Sequence, residues 1–114
     1  MDAFELKDLI VQQQASGRAY LEFLRVAALS GGVYSLPKDG VDPQKPHTED
    51  EVYVVLHGKA SIRVGEEDRP VEAGSVIFVA ANVDHQFHTI TEDLTVLVFF
   101  APAEYANAPK SGDQ

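Results

Sequence analysis

His47 and Glu51 stand four residues apart in the run Pro46-His47-Thr48-Glu49-Asp50-Glu51-Val52-Tyr53. If that run enters a regular strand, positions 47, 49, 51, 53 and 55 share a face, because successive strand residues alternate sides. Glu51 then heads an inward-facing row with Tyr53 and Val55. A buried carboxylate is costly unless a cation or a metal ion meets it. His85 opens a second row of the same kind, with Phe87 and Thr89 on its face and Gln86 and His88 on the other. Two neutral imidazoles and one carboxylate make a donor set suited to Fe(II), Mn(II), Zn(II), Ni(II) or Co(II).

Each of these residues also has a plainer reading. A histidine ahead of an acidic run, such as His47, reads as a surface residue, and His85 as a core histidine bonded to a carbonyl. His57, just before Gly58, reads as a turn residue, and His88 as facing solvent or a partner subunit. Glu49 and Asp50 read as solvated, with Glu49 approaching the site only where the strand bulges. Spacing alone leaves the metal-binding and the plainer readings both open.

Composition narrows the chemistry. The chain has no cysteine, so any metal must be held by imidazole and carboxylate, and thiolate zinc sites and cysteine nucleophiles are excluded. Against 9 basic residues stand 18 acidic ones, a formal charge of −9. That balance speaks against nucleic acid and against anionic membranes, both of which call for clustered Lys and Arg. A length of 114 residues fits one domain with a modest core. No basic leader and no apolar run of about 18 residues is visible, so the expectation is a cytoplasmic protein.

The elements that must position these residues follow from pattern. Leu6, Leu9, Ile10 and Gln13 fall on one helical stripe, which predicts a helix over Glu5 to Ala15 ended by Gly17. From Ala19 the pattern becomes short β-type runs: Tyr20–Leu29, Val33–Leu36, Val52–His57, Ala60–Val64, Val71–Glu72, Val76–Val79, Gln86–Ile90 and Leu94–Phe100. Gly58-Lys59 predicts a tight hairpin, and residues 65–69 a turn-rich loop. Eight short strands at this spacing predict an antiparallel sandwich or barrel. The division expected is a helical segment at 1–17, a barrel at 18–101, and a tail at 102–114 that frays from about Ala101. The irregular segment Pro37 to Pro46 is long for so small a chain, and such loops are usually functional.

Together these segments resemble the cupin superfamily, in its small single-domain form. Gly40, His47, Glu51 and Gly58 match the first cupin motif, with His47-to-Glu51 and Glu51-to-Gly58 at the family spacing. Gly74 and His85 match the second. The resemblance runs from about residue 36 to 101. It departs from the pattern at Lys45, which stands where the first motif histidine would be and cannot ligate a metal while protonated. Ala80 and Asn82 replace the Pro and Gly of the second motif, and Thr89 its terminal Asn.

The resemblance implies an all-β fold, a double-stranded β-helix or jelly-roll barrel with one short N-terminal helix. It implies one divalent metal ion on His47, Glu51 and His85, with Gln44 as a possible further oxygen ligand. Tyr53, Phe78, Phe87 and Phe99 are the expected pocket lining, and Lys45 the group to hold a substrate carboxylate at the rim. The function it implies is a metal-dependent enzyme, dioxygenase-like or isomerase-like, acting on a small molecule. The alternative is a non-catalytic sensor or carrier whose site is vestigial. A homodimer paired through the N-terminal strand Tyr20–Leu29 is expected, since an apolar edge needs covering.

Overall fold

A computed structural model describes residues 1–108. The helix α1 spans Leu6–Ser16, one residue later than predicted, and Gly17 closes it by donating its N–H to the Gln14 carbonyl. It buries Leu9 and Gln13. The Gln13 amide donates to the carbonyls of Arg18 (2.7 Å) and Ala19 (3.2 Å), and Ser35 Oγ donates to its oxygen (2.9 Å). A polar residue is therefore tolerated on the buried stripe because its hydrogen bonds are met. Leu6, expected on that stripe, sits in the first turn and stays exposed.

Six strands follow: β1 (Tyr20–Val26), β2 (Leu29–Leu36), β3 (Asp50–Val64), β4 (Glu67–Glu72), β5 (Val76–Val79) and β6 (His85–Ala101). The order in space is β1-β2-β6-β3-β4, with β5 on the free side of the first part of β3, and every pairing is antiparallel. β2 begins four residues before the predicted start because Gly31 and Gly32 belong to it. These glycines make room for rings. A Cβ on Gly32 would come within 2.3 Å of the Tyr20 ring, and one on Gly31 within 2.9 Å of Phe99.

Two of the six strands are long, and this is where eight expected strands become six. Residues 52–57 and 60–64 are one strand, β3, and residues 86–90 and 94–100 are one strand, β6. The predicted hairpin at Gly58-Lys59 is a bulge instead. The register between β3 and β6 shifts at three steps between Val55 and Ser61. Gly58 takes φ +96 there, and a Cβ would meet the Asp93 carbonyl oxygen at 2.2 Å. An irregularity of this kind bends a strand without ending it. His57, expected in a turn, is accordingly an exposed strand residue paired with Thr95. The loop predicted at 65–69 shrinks to Gly65-Glu66, with β4 starting at Glu67.

Bending lets β3 and β6 serve both walls of the barrel. The first part of β3 pairs with β5 and the second part with β4. The β3/β6 ladder runs from Asp50↔Ala101 to Val64↔His85. Glu51 and His85 thus lie near opposite ends of one ladder, yet the curl of the barrel brings them together. Inside sit Tyr34, Leu36, Tyr53, Val55, Ile62, Phe87, Ile90, Leu94, Val96, Val98 and Phe100, all at most 6% exposed. No helix of the described residues is long and apolar enough to cross a membrane.

The first part of the segment after β6 is tied back to the barrel. Ala103 is buried, and the Glu49 carboxylate accepts the backbone N–H groups of Tyr105 (2.7 Å) and Asn107 (2.8 Å). Glu49, expected in solvent, is 1% exposed for this reason. The rest of the predicted tail, 109–114, lies outside the described residues.

Candidate metal centre

Strand alternation places Glu51, Tyr53 and Val55 on the inner face of β3, and His85 and Phe87 on the inner face of β6. His47 precedes β3 in the long loop. It is held there because its carbonyl accepts the N–H of Asn82 at 2.7 Å. Asn82 adopts φ +66, a left-handed conformation that suits Gly or Asn. The loop carrying His47 is thereby tied to the turn that leads into His85. Asp42, 2% exposed, anchors the same loop by accepting from Tyr34 (2.7 Å), the Gln44 amide (3.0 Å) and the Phe87 backbone (2.9 Å).

His47, Glu51 and His85 are all buried, and each offers a donor atom within 4.8 Å of the other two. Glu51 Oε1 lies 3.4 Å from His47 Nδ1 and 3.1 Å from His85 Nε2. Among the described residues, neither oxygen of Glu51 nor Nδ1 of His47 has a hydrogen-bond partner. Buried polar atoms are almost always paired, so three orphans converging on one point need an explanation. A divalent cation meets all three at once, and the donor set suits a first-row metal. His85 is prepared in the same sense. Its Nδ1–H donates to the Val83 carbonyl at 3.0 Å, which leaves Nε2 turned toward Glu51 and the Tyr53 hydroxyl, 3.1 Å away. A backbone carbonyl holding the outer nitrogen of a histidine is a common support for a metal-ligating ring.

Charge state in the metal-free chain follows from the same contacts. Burial disfavours a charged His47 ring, but the Glu104 and Glu51 carboxylates outweigh it and push its pKa up to about 9. Burial likewise opposes charge on His85, and Glu51 with the Val83 carbonyl outweighs that too, raising its pKa. Burial alone would raise the pKa of Glu51, yet the two imidazoles bring it below the usual value. Tyr53 is held well above the usual phenol value by burial and by Glu51, so it stays neutral and able to donate.

A cleft of about 640 Å³ opens onto the site, and His47 forms part of its wall. Tyr20, Tyr34, Phe100 and Tyr105 supply its aromatic surface, with Lys45 at the exposed rim and Glu104 beside His47. This corrects part of the expected lining. Tyr53 and Phe87 pack edge-to-face beneath the cluster, ring centroids 4.9 Å apart. Phe78 is 61% exposed on β5, and Phe99 points away from Val98 and Phe100 onto Gly31. Both lie in runs that are apolar at nearly every position, where alternation does not reveal the inner face. Gln44 gives its oxygen to the Tyr53 hydroxyl (3.1 Å), an orienting contact and not one aimed at the three donors. His88, on the outside, pairs with Asp68 at 2.9 Å.

Sequence reasoning missed Glu104, whose Oε2 lies 3.2 Å from His47 Nε2, and the anchor Asp42. Glu104 follows the last strand in a stretch without periodicity. The one signal near Asp42 was the length of the irregular segment that contains it.

Residues 32–100 match the family model described as Cupin domain. The chain belongs to the cupin family. An uncharacterized Streptomyces coelicolor protein is 50% identical over 104 residues, covering 91% of this chain and 99% of that protein. Among solved structures, a Thermus thermophilus protein is 25% identical with a TM-score of 0.69, covering 90% of this chain and 99% of the other. The DMSP lyase DddQ from Ruegeria pomeroyi has a TM-score of 0.65 at 20% identity, covering 73% of this cupin and 47% of the lyase. These likenesses agree with a double-stranded β-helix whose barrel carries the histidine and carboxylate cluster.

Proposed function

We propose that this cupin binds one divalent first-row metal ion through His47, Glu51 and His85, and acts on a small molecule held in the adjoining cleft. The observation that carries the reading is the buried Glu51 carboxylate, neither of whose oxygens is hydrogen-bonded, facing two imidazole nitrogens. A divalent ion there would supply Lewis acidity toward a chelating oxygen of the substrate. The chain's own groups do the rest. The Lys45 ammonium at the rim offers a partner for a carboxylate, the phenols of Tyr20 and Tyr34 offer a flat aromatic wall, and Phe100 keeps the inner end dry. A dioxygenase-like or isomerase-like reaction rests on analogy of fold, as does the lyase activity that one structural neighbour carries in its name.

A second reading, a non-catalytic sensor or carrier, is favoured by Lys45 in place of a first motif histidine, which leaves three side-chain ligands. Reconstitution with Fe(II), Mn(II), Zn(II) or Ni(II) followed by elemental analysis tests the shared part of both readings. Less than about a tenth of an equivalent with every metal would end the metal reading. Oxygen-uptake and product assays of the loaded protein with small diketones, thiols and phenolic acids separate the two. Turnover lost in His85→Ala supports the enzyme, and its absence across that panel favours the carrier. For assembly, β1 lies at a sheet edge with Val26 exposed, which supports a homodimer across it. A monomer by light scattering would contradict that.

A further inference from the structure

We propose that Glu104 is a positioning residue for this centre: its carboxylate accepts the Nε2–H of His47 and so presents Nδ1 to the ion shared with Glu51 and His85. The inference rests on the metal-binding reading above and adds a tautomer to it. A neutral imidazole has one donor and one acceptor nitrogen, and the partner of the first fixes the role of the second. In His47, Nε2 faces Glu104 Oε2 at 3.2 Å, while Nδ1 is buried, without a partner, and 3.4 Å from Glu51 Oε1. In His85 the roles are exchanged, with Nδ1 on the Val83 carbonyl and Nε2 inward. A bound ion, by displacing the inner proton of each ring, would therefore find the two histidines in opposite tautomers, His85 held by a backbone carbonyl and His47 by a carboxylate.

Glu104 is not a loose carboxylate that happens to lie near a ring. Its N–H donates to Ser30 Oγ at 2.8 Å, and its carbonyl accepts from Arg25 Nη2 at 2.7 Å. The next N–H along the chain is fixed by the fully buried Glu49 at 2.7 Å. Two strands, β1 and β2, thus grip Glu104 itself, and the loop before β3 grips the residue that follows it. Its side chain is 12% exposed, which shields the contact from bulk water. A carboxylate behind a metal-ligating histidine orients the ring and raises its basicity, and its loss commonly weakens metal binding about 10–100-fold.

The test uses the full chain loaded with Zn(II), compared with Glu104→Ala and Glu104→Gln. Nitrogen NMR of the imidazoles in the unsubstituted protein should find Zn(II) on Nδ1 of His47 and on Nε2 of His85. Competition with a chromophoric chelator should show Glu104→Ala binding Zn(II) about 10–100-fold more weakly, with Glu104→Gln, which keeps a neutral acceptor, recovering part of the loss. Zn(II) found on Nε2 of His47, or equal affinity in all three proteins, would overturn the proposal while leaving the metal site standing. Failure of the unsubstituted protein to bind Zn(II) would overturn this proposal, and the metal reading itself would fall only if Fe(II), Mn(II) and Ni(II) failed to bind as well. If Glu104→Ala does not fold, the nitrogen assignment in the unsubstituted protein decides alone.

Discussion

Two histidine–carboxylate groups draw on opposite faces of β6 and meet different fates. On the outer face, His88 touches both oxygens of Asp68 at 2.9 and 3.0 Å, with side chains 36% and 50% exposed. On the inner face, His85 is joined by His47 in flanking Glu51 at similar distances, with side chains at most 9% exposed. The outer pair is completed by water and screened by salt, so its strength is small. The inner group is shut away from solvent, and among the described residues both Glu51 oxygens and Nδ1 of His47 lack a hydrogen-bond partner. The same residue types at similar distances make a surface ion pair in one place and, in the other, a buried cluster that could hold a cation. Burial makes the difference, and alternation along a bent strand decides which residues are buried.

Removing the central carboxylate should break the contrast most severely. Glu51→Ala is expected to lower Zn(II) affinity by more than about 100-fold, measured by chelator competition, because it removes the anionic donor common to both imidazoles. Next comes the metal itself. At a free concentration about 100 times the dissociation constant, a bound ion stabilises by about 2.7 kcal/mol. For a domain of this size that raises the melting temperature by about 10–20 °C in calorimetry. Chelation should reverse the shift.

A third test uses pH in the metal-free chain. The folded pKa of His47, about 9, lies above its ordinary 6.5. The stability it contributes is fully present below about 6.5 and is lost as pH rises through about 9. Glu51, whose folded pKa is lowered, contributes stability above its ordinary 4.5 that is lost as pH falls through the depressed value. Urea midpoints should therefore decline between about pH 6.5 and 9, and His47→Gln should flatten that decline. The smallest effect belongs outside. Asp68→Asn should change stability by at most about 1 kcal/mol and leave Zn(II) affinity unaltered. A large effect there would undo the distinction between the two groups.

The inner cluster was legible because a period of two and the spacing of two motifs both mark His47, Glu51 and His85. The barrel was legible too, though not its strand count. Gly58-Lys59 carries the residues of a hairpin, and only the pairing of this stretch with the distant strand β6, through its register shifts, shows a bulge instead. Phe78 and Phe99 could not be assigned a face, since Val76–Val79 and Leu94–Phe100 are apolar almost throughout. Glu104 was illegible for a different reason. Its place depends on contacts with Ser30, Arg25 and Glu49 that span 56 to 79 positions of the chain, and no local pattern encodes such an anchor.

The β3/β6 ladder has its two ends near Glu51 and His85, and the barrel closes by bringing those ends face to face. The cluster therefore acts as a gauge of arc length. Each added or deleted residue anywhere along the arc, including the Gly58 bulge, would displace one jaw from the other by about 3.3 Å and turn it to the opposite wall. Such a clasp fastens only when every rung between its halves has been counted correctly.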